Sequence, residues 1–278
     1  MANPLHGHGP RRAIKRGLAS AGGVLPSARR PAQGATLLIY HRIGDGTPDE
    51  LDIEAAAFDA QVALLAEQPV RSLDAALDAL DRGSTSPSVV LTFDDGFAGV
   101  YEHAWPRLRD AGLPFTIYLA TAYVGGVMRW PGSTATGAPG RGLTWAQLEE
   151  LAASELVTIA NHTHTHALPE QLSVAELDRC SELIEERLGR VPRHFAYTWG
   201  RPVPEALPLL RARFRSAATG ALGRNLPGAD PMLLDRVPVR ASDPLPFFTA
   251  KLTGGLGPER AYGRIVAGAK RLGAAGSA

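Results

Sequence analysis

Two short stretches of this chain have the residue types and the spacing to do chemistry. Asp94 and Asp95 follow the apolar run "SVVLTF" and precede Gly96, while "NHTHTH" (161–166) holds three of the chain's eight histidines. Taken singly, each has an ordinary reading: Asp-Asp-Gly is a turn sequence, and a lone histidine is usually packed or solvated. Together they suggest more. His162 and His166 lie four residues apart, so in a helical turn they share a face, and in a short irregular loop they can still converge on one ion. With a carboxylate from Asp94–Asp95, they make a two-nitrogen, one-oxygen set for a divalent cation that leaves positions open for water.

These groups must be held by rigid elements, and the apolar pattern supplies them. Runs of strand length recur from about residue 36: "TLLIY" (36–40), "SVVLTF" (88–93), "FTIYLA" (115–120), "LVTIA" (156–160), "HFAY" (194–197) and, more weakly, "RSAAT" (215–219) and "LDRVPV" (234–239). They are apolar without alternation, as in a parallel sheet covered on both faces. Helical stretches intervene. Thr144 with Gln147 and Ser173 with Glu176 have capping-box spacing, Gly189 followed by Pro192 predicts a stop, and Phe58, Val62 and Leu65 give an earlier helix one apolar face. Strand–helix alternation predicts α/β architecture, either a (β/α) barrel or an open sheet, with both chemical stretches at carboxyl ends of strands, where such folds build sites.

Composition narrows the partners. The 29 basic and 28 acidic residues leave a net charge of +1, so no global field draws the chain to nucleic acid. One cysteine, Cys180, excludes an intrachain disulfide. It falls on the stripe Leu177, Cys180, Ile184, Leu188 and reads as a packing residue. Glycines 22 and 23 and the arginines at 29 and 30 make a poor secretory leader of the N-terminus. The expectation is therefore a cytoplasmic protein whose residues 1–35 form a basic arm that is flexible or touches an anionic membrane surface. Residues 36–250 carry the strand–helix alternation as one domain, and 251–278 are a Gly/Ala-rich tail with the makings of an amphipathic helix.

"TFDDG" (92–96) together with "HTHTH" (162–166) resembles the first two motifs of the NodB-type polysaccharide deacetylases, carbohydrate esterase family 4. "LLIYHRIGDG" (37–46), "LTWAQLEELAASELVTIANHTHTHALP" (143–169) and "HFAYTWG" (194–200) follow in family order, so the likeness covers roughly residues 36–240. The resemblance implies a distorted (β/α) barrel, typically seven-stranded, and metal-dependent hydrolysis of an N-acetylated amino sugar in a glycan or glycolipid. Carried over, Asp95, His162 and His166 are the metal ligands, with Zn²⁺ foremost and Co²⁺, Ni²⁺ or Mn²⁺ as alternatives. Asp94 is the general base, and the backbone N–H of Trp199 stabilises the oxyanion. His164 is the variable position between the ligands, facing elsewhere.

The chain departs from that pattern in three places. Ala196 stands where many members carry a base-orienting Arg. A subgroup reads Phe-Ala-Tyr-Pro there, and this chain has Thr198 in place of the Pro, leaving Arg236 of "LLDRVPV" as the candidate orienter of Asp94. The usual C-terminal histidine that protonates the leaving amine is missing, since the last histidine is His194; His41 is a substitute acid or a supporting residue. Among the aromatics, Tyr197 and Trp130 are expected to bind sugar, with Trp145 and the Trp199 ring as further stacking surfaces. Two alternatives stay open, a deformylase or deacetylase of a lipid-linked amino sugar and a glycan-binding pseudoenzyme.

Overall fold

The structure is a computed structural model that describes residues 8–21, 33–133, 138–253 and 255–275. Seven parallel strands close into a barrel: β1 (Ala35–Tyr40), β4 (Ser88–Asp95), β5 (Phe115–Leu119), β6 (Val157–Asn161), β7 (His194–Ala196), β8 (Ser216–Leu222) and β9 (Leu234–Pro238), with β9 pairing back onto β1. The seven apolar runs of the sequence are these strands, their ends displaced by at most three residues. The ring is uneven. β1 and β4 pair along six residues from Ala35↔Ser88 to Tyr40↔Phe93, whereas β6 and β7 meet only at Asn161↔Phe195. Two short strands, β2 (Arg42–Ile43) and β3 (Asp52–Ile53), pair beside the mouth and frame the turn between them.

Inside and outside of the barrel are filled differently. α2 (Ala55–Leu65) contributes Phe58 to an outer cluster with Tyr40, Phe93 and Phe115, in which Tyr40 stacks on Phe93 at 5.1 Å and Phe58 meets Phe93 edge-on. α3 (Leu73–Asp81) joins Leu73, Ala76, Leu77 and Leu80 to a cluster with Leu37, Val90, Tyr118, Ala160, Ala196 and Ala218. The three alanines leave room among the strands for two large polar side chains, Tyr118 and Arg236, whose guanidinium lies 5.5 Å from the Tyr118 ring.

The remaining layer comprises α4 (Trp105–Asp110), α5 (Trp145–Ala152), α6 (Val174–Leu188) and α7 (Leu207–Arg211). Thr144 and Gln147 make the reciprocal capping box their spacing predicts, and α6 ends at Gly189 in the left-handed conformation, φ 63°. Ser173 caps α6, but the Glu176 carboxylate turns away from the cap, to Thr165 of the histidine loop. Cys180 is buried on α6, its thiol donating to the Leu119 carbonyl at 3.3 Å, and burial pushes its pKa up to about 12. That is a packing residue.

The termini correct the expectation. Residues 8–21 form a helix, α1 (His8–Ala21), packed on α8 (Leu245–Leu252) and α9 (Gly257–Ala275), which extend beyond the boundary at 250. Composition suggested a flexible arm because its basic residues look solvated. Lys15 is instead fully buried, donating to Asp243 Oδ1 at 2.6 Å and Ser242 Oγ at 2.7 Å. Residues 1–7 and 22–32, also assigned to that arm, lie outside the described residues. Among the described residues no helix is long and apolar enough to cross a membrane.

Candidate metal centre and active site

The carboxyl ends of the strands converge on a cleft of about 330 Å³ lined by His41, Arg42, Asp49, Asp94, Asp95, Trp130, His162, His166, Trp199 and Arg236, among others. Each arrives by a short route. Asp94 and Asp95 end β4, His41 follows β1, His162 follows β6, and Trp199 follows β7 by three residues. Four non-glycine residues among those described have positive φ: Asp95 (74°), Thr163 (63°), His166 (53°) and Trp199 (61°). All four belong to this site. Such conformations cost of order 1–3 kcal/mol each and persist only where the surroundings enforce them.

The histidine loop shows what does the enforcing. Asn161 accepts the Thr163 N–H at 2.8 Å while its amide donates to the Leu177 carbonyl and Ser181 Oγ. Thr163 Oγ1 accepts the Ala167 N–H, and Glu176 takes both the N–H and the hydroxyl of Thr165. His164 turns from the cleft to Thr121, Nδ1 to Oγ1 2.9 Å. The Thr-His alternation thus divides into histidines that face the cleft and polar residues that fix the loop.

Asp95, His162 and His166 bring three ligand atoms within 4.8 Å of one another. Both Nε2 atoms lie 3.3 Å from Asp95 Oδ1, yet that buried oxygen accepts no well-formed hydrogen bond. The atoms converge on a shared space instead of on each other. Ligand distances of about 2 Å to a cation separate adjacent ligand atoms by roughly 3–3.5 Å, so the spacing fits a divalent ion. His162 Nδ1 lies 2.8 Å from the Ala196 carbonyl, which fixes the tautomer and leaves the Nε2 lone pair toward that space. Burial lowers the His166 pKa despite Asp95, favouring the neutral form a ligand needs. At His162 burial acts the same way, but Asp95 and Asp94 outweigh it and raise the pKa, so a cation there competes with a proton.

Asp94 is gripped by Arg236 through two parallel bonds, Nη1–Oδ1 2.7 Å and Nη2–Oδ2 2.9 Å. Arg236 is itself aimed by the Thr219 carbonyl and Thr92 Oγ1. Burial pushes the Asp94 carboxyl up, and Arg236, with His162 and His41, more than offsets it, holding the pKa below the ordinary carboxylate value. Asp94 is thereby ionised and fixed in orientation, as a proton acceptor requires. Thr198, in place of the subgroup's proline, has a role as well: its hydroxyl donates to the Ala167 carbonyl at 2.6 Å, tying the loop after β7 to the histidine loop. Gly200 and Gly220 let that loop cross β8, since a Cβ on Gly200 would sit 2.7 Å from the Gly220 Cα.

The aromatic expectations divide. Trp130 stands 4.3 Å from the His166 ring, and Trp199 is 37% exposed in the cleft wall. Tyr197 is buried against Phe195, its hydroxyl on the Met232 carbonyl, because the residue before the turn at Trp199 points into the outer core. It is not a cleft residue. Trp145 packs on the core as the first residue of α5. Arg42, Asp49 and Phe97 line the cleft without having been singled out in the sequence, and nothing in their spacing marks them.

Residues 81–212 match the family model described as polysaccharide deacetylase. A putative polysaccharide deacetylase of Bacillus subtilis, YxkH, is 25% identical over 179 residues, which cover 62% of this chain and 58% of the relative. The chain thus spans less than two thirds of that protein. The structure of IcaB from Ammonifex degensii is similar with a TM-score of 0.67 at 28% identity, covering 81% of this chain and 100% of that one. A polysaccharide deacetylase from Bacillus cereus has a TM-score of 0.65 at 21% identity, covering 80% and 69%, a likeness of fold alone. The barrel, the motifs at its mouth and these matches agree: the chain is similar to the polysaccharide deacetylases, with residues 81–212 matching that family's model.

Proposed function

We propose that the protein hydrolyses the N-acetyl amide of an amino sugar in a cell-envelope or exopolysaccharide glycan, releasing acetate and a free amine. One observation carries this reading. A carboxylate held ionised by a bidentate arginine stands beside a second carboxylate whose oxygen is unpartnered and faces two histidine nitrogens. Zn²⁺ is the ion we favour for Asp95, His162 and His166, with Co²⁺, Ni²⁺ or Mn²⁺ as alternatives. When bound, such an ion supplies Lewis-acid chemistry to a water and to an amide carbonyl.

The chain's own groups supply the rest. Asp94, with both oxygens oriented by Arg236, takes the proton from the attacking water. The Trp199 backbone N–H, in a loop held at φ 61°, donates to the oxygen that gains charge as the water adds to the acyl carbon. As the C–N bond breaks, the amine leaves with a proton. His41 is our candidate donor, because it lines the cleft and its buried Nδ1 has no protein partner. Trp130 and the Trp199 ring provide apolar faces for sugar rings.

The test is release of acetate and of formate from N-acylated amino-sugar oligomers and lipid-linked amino sugars, together with elemental analysis of protein purified without added ions or chelator. Acetate release by protein holding about one ion per chain supports the proposal. Formate release alone points to a deformylase. Glycan binding with the ion present and no turnover of any substrate means that the site binds without catalysing.

A further inference from the structure

Part of the cleft wall is made by Asp49 and Leu51, on the turn between β2 and β3. Glu50, between them, reaches the other way. Its Oε1 lies 2.7 Å from His8 Nδ1 and 3.6 Å from Arg11 Nη1, both on α1. Its Oε2 accepts the Ser242 hydroxyl at 2.6 Å, and its backbone carbonyl accepts the Ala241 N–H at 2.8 Å. Ser242 in turn accepts from Lys15, one helical turn beyond Arg11. A continuous chain of polar contacts thus runs from α1 through Ser242 to the residue between two cleft-lining positions.

Anchoring the N-terminus would not need these contacts. α1 is already docked by Ala19 in an apolar cluster with Phe247 and Tyr262, and by the Lys15–Asp243 pair. The bonds to Glu50 are additional, and they reach a turn whose inner face belongs to the site. Glu50 and Leu51 are the central residues of a turn closed by the Asp52 N–H on the Asp49 carbonyl, and Asp49 Oδ1 accepts the Leu51 N–H, so gripping Glu50 holds Asp49 and Leu51 through the turn itself.

We infer that α1 is part of the substrate-binding architecture: through Glu50, a positioning residue, it sets where Asp49 and Leu51 stand and thereby the affinity for the sugar chain beside the reacting unit. What is bound rests on the deacetylase reading; the positioning does not. Asp49 offers a carboxylate to sugar hydroxyls and Leu51 an apolar contact.

The experiment uses the full chain, as Glu50→Ala and as the double variant His8→Ala/Arg11→Ala. Hydrogen exchange is followed residue by residue, and KM and kcat are measured on N-acetylglucosamine oligomers. The expected result is faster exchange over residues 47–53, by about tenfold or more, with the histidine loop unchanged. KM should rise about fivefold while kcat stays within about twofold, and Arg11→Lys, with His8 intact, should restore most of it. Unchanged exchange in both variants, or a fall in kcat at constant KM, would overturn the inference. Should Glu50→Ala not fold, the double variant, which alters only half-buried helix side chains, decides alone. Should the wild type turn over no oligomer, the deacetylase reading fails by itself, and exchange with calorimetric oligomer binding still judges the positioning.

Discussion

Two buried charge networks lie close together near the mouth of this barrel, and they are built on opposite terms. Behind the cleft, Asp243 takes Lys15 and Lys251, each at 2.6 Å, and the Arg240 N–H, while Glu259 pairs with Lys251 and Arg240. Every charge there sits against an opposite one, and the only buried polar atom of this network without a well-formed hydrogen bond among the described residues, Glu259 Oε2, still lies 2.9 Å from Lys251 Nζ. In the cleft, Asp94 is paired, but Asp95 Oδ1, His166 Nδ1 and His41 Nδ1 are buried without hydrogen-bond partners, and the backbone beside them is strained. A satisfied network repays part of the cost of desolvation and serves stability. An unsatisfied one costs free energy in the fold and keeps its lone pairs for something else, on the proposed function a cation and a substrate.

If that contrast is right, substitutions in the two networks should fail differently. The largest effect is expected from His166→Ala, which should take bound metal from about one ion per chain to nearly none and abolish turnover, with little change in the chelator-treated protein's melting temperature; elemental analysis and calorimetry check it. Asp94→Asn should retain the ion and the fold yet lower kcat by about 10²–10⁴-fold, measured as acetate release. Native turnover by that variant would remove Asp94 as the base.

In the other network, Lys15→Met should leave metal content unchanged and cost roughly 3–5 kcal/mol in denaturant unfolding, because Asp243 loses one of its two lysines while buried. Acid should expose the same dependence. Asp243's folded pKa is depressed: burial raises it, and Lys251 and Lys15 more than reverse that. Its contribution is therefore complete above the unfolded value of about 3.9 and is lost as pH falls through the lower folded value. The melting-temperature gap between wild type and Asp243→Asn should hold from pH 7 to about 5 and close below about 4. The smallest effect concerns α1's outer side, where Arg12 and Arg16 stay exposed. If this helix touches an anionic membrane surface, Arg12→Ala/Arg16→Ala should weaken cosedimentation with phosphatidylserine vesicles by about 2 kcal/mol at low salt.

Much of the site was legible before the fold. Asp94, Asp95, His162 and His166 stand in two short local motifs whose residue types and spacing suggest a set for a divalent ion, while the separate roles of the two aspartates came only from the resemblance to the deacetylases. Arg236 was legible only as a candidate, since it lies 142 residues from Asp94 and no local rule joins them. Glu176 and Asn161 were hidden for a related reason: each has an ordinary local reading, a cap partner and a strand end, while its side chain serves the histidine loop. Tyr197 lies outside the cleft because it continues the alternation of β7 and falls on the same outward face as Phe195, two residues before it.

The sequence by itself determined the seven apolar strands, their alternation with helices and the placing of both motifs at strand ends, because those depend on periodicity and on chemistry within a few residues. Only the tertiary structure decided that the barrel closes, that Arg236 clamps Asp94, and that a basic N-terminal segment becomes a docked helix with a buried lysine. Those outcomes turn on partners distant in the chain. A charge such as Lys15 reads as solvated until the fold brings Asp243 to meet it, 228 residues away.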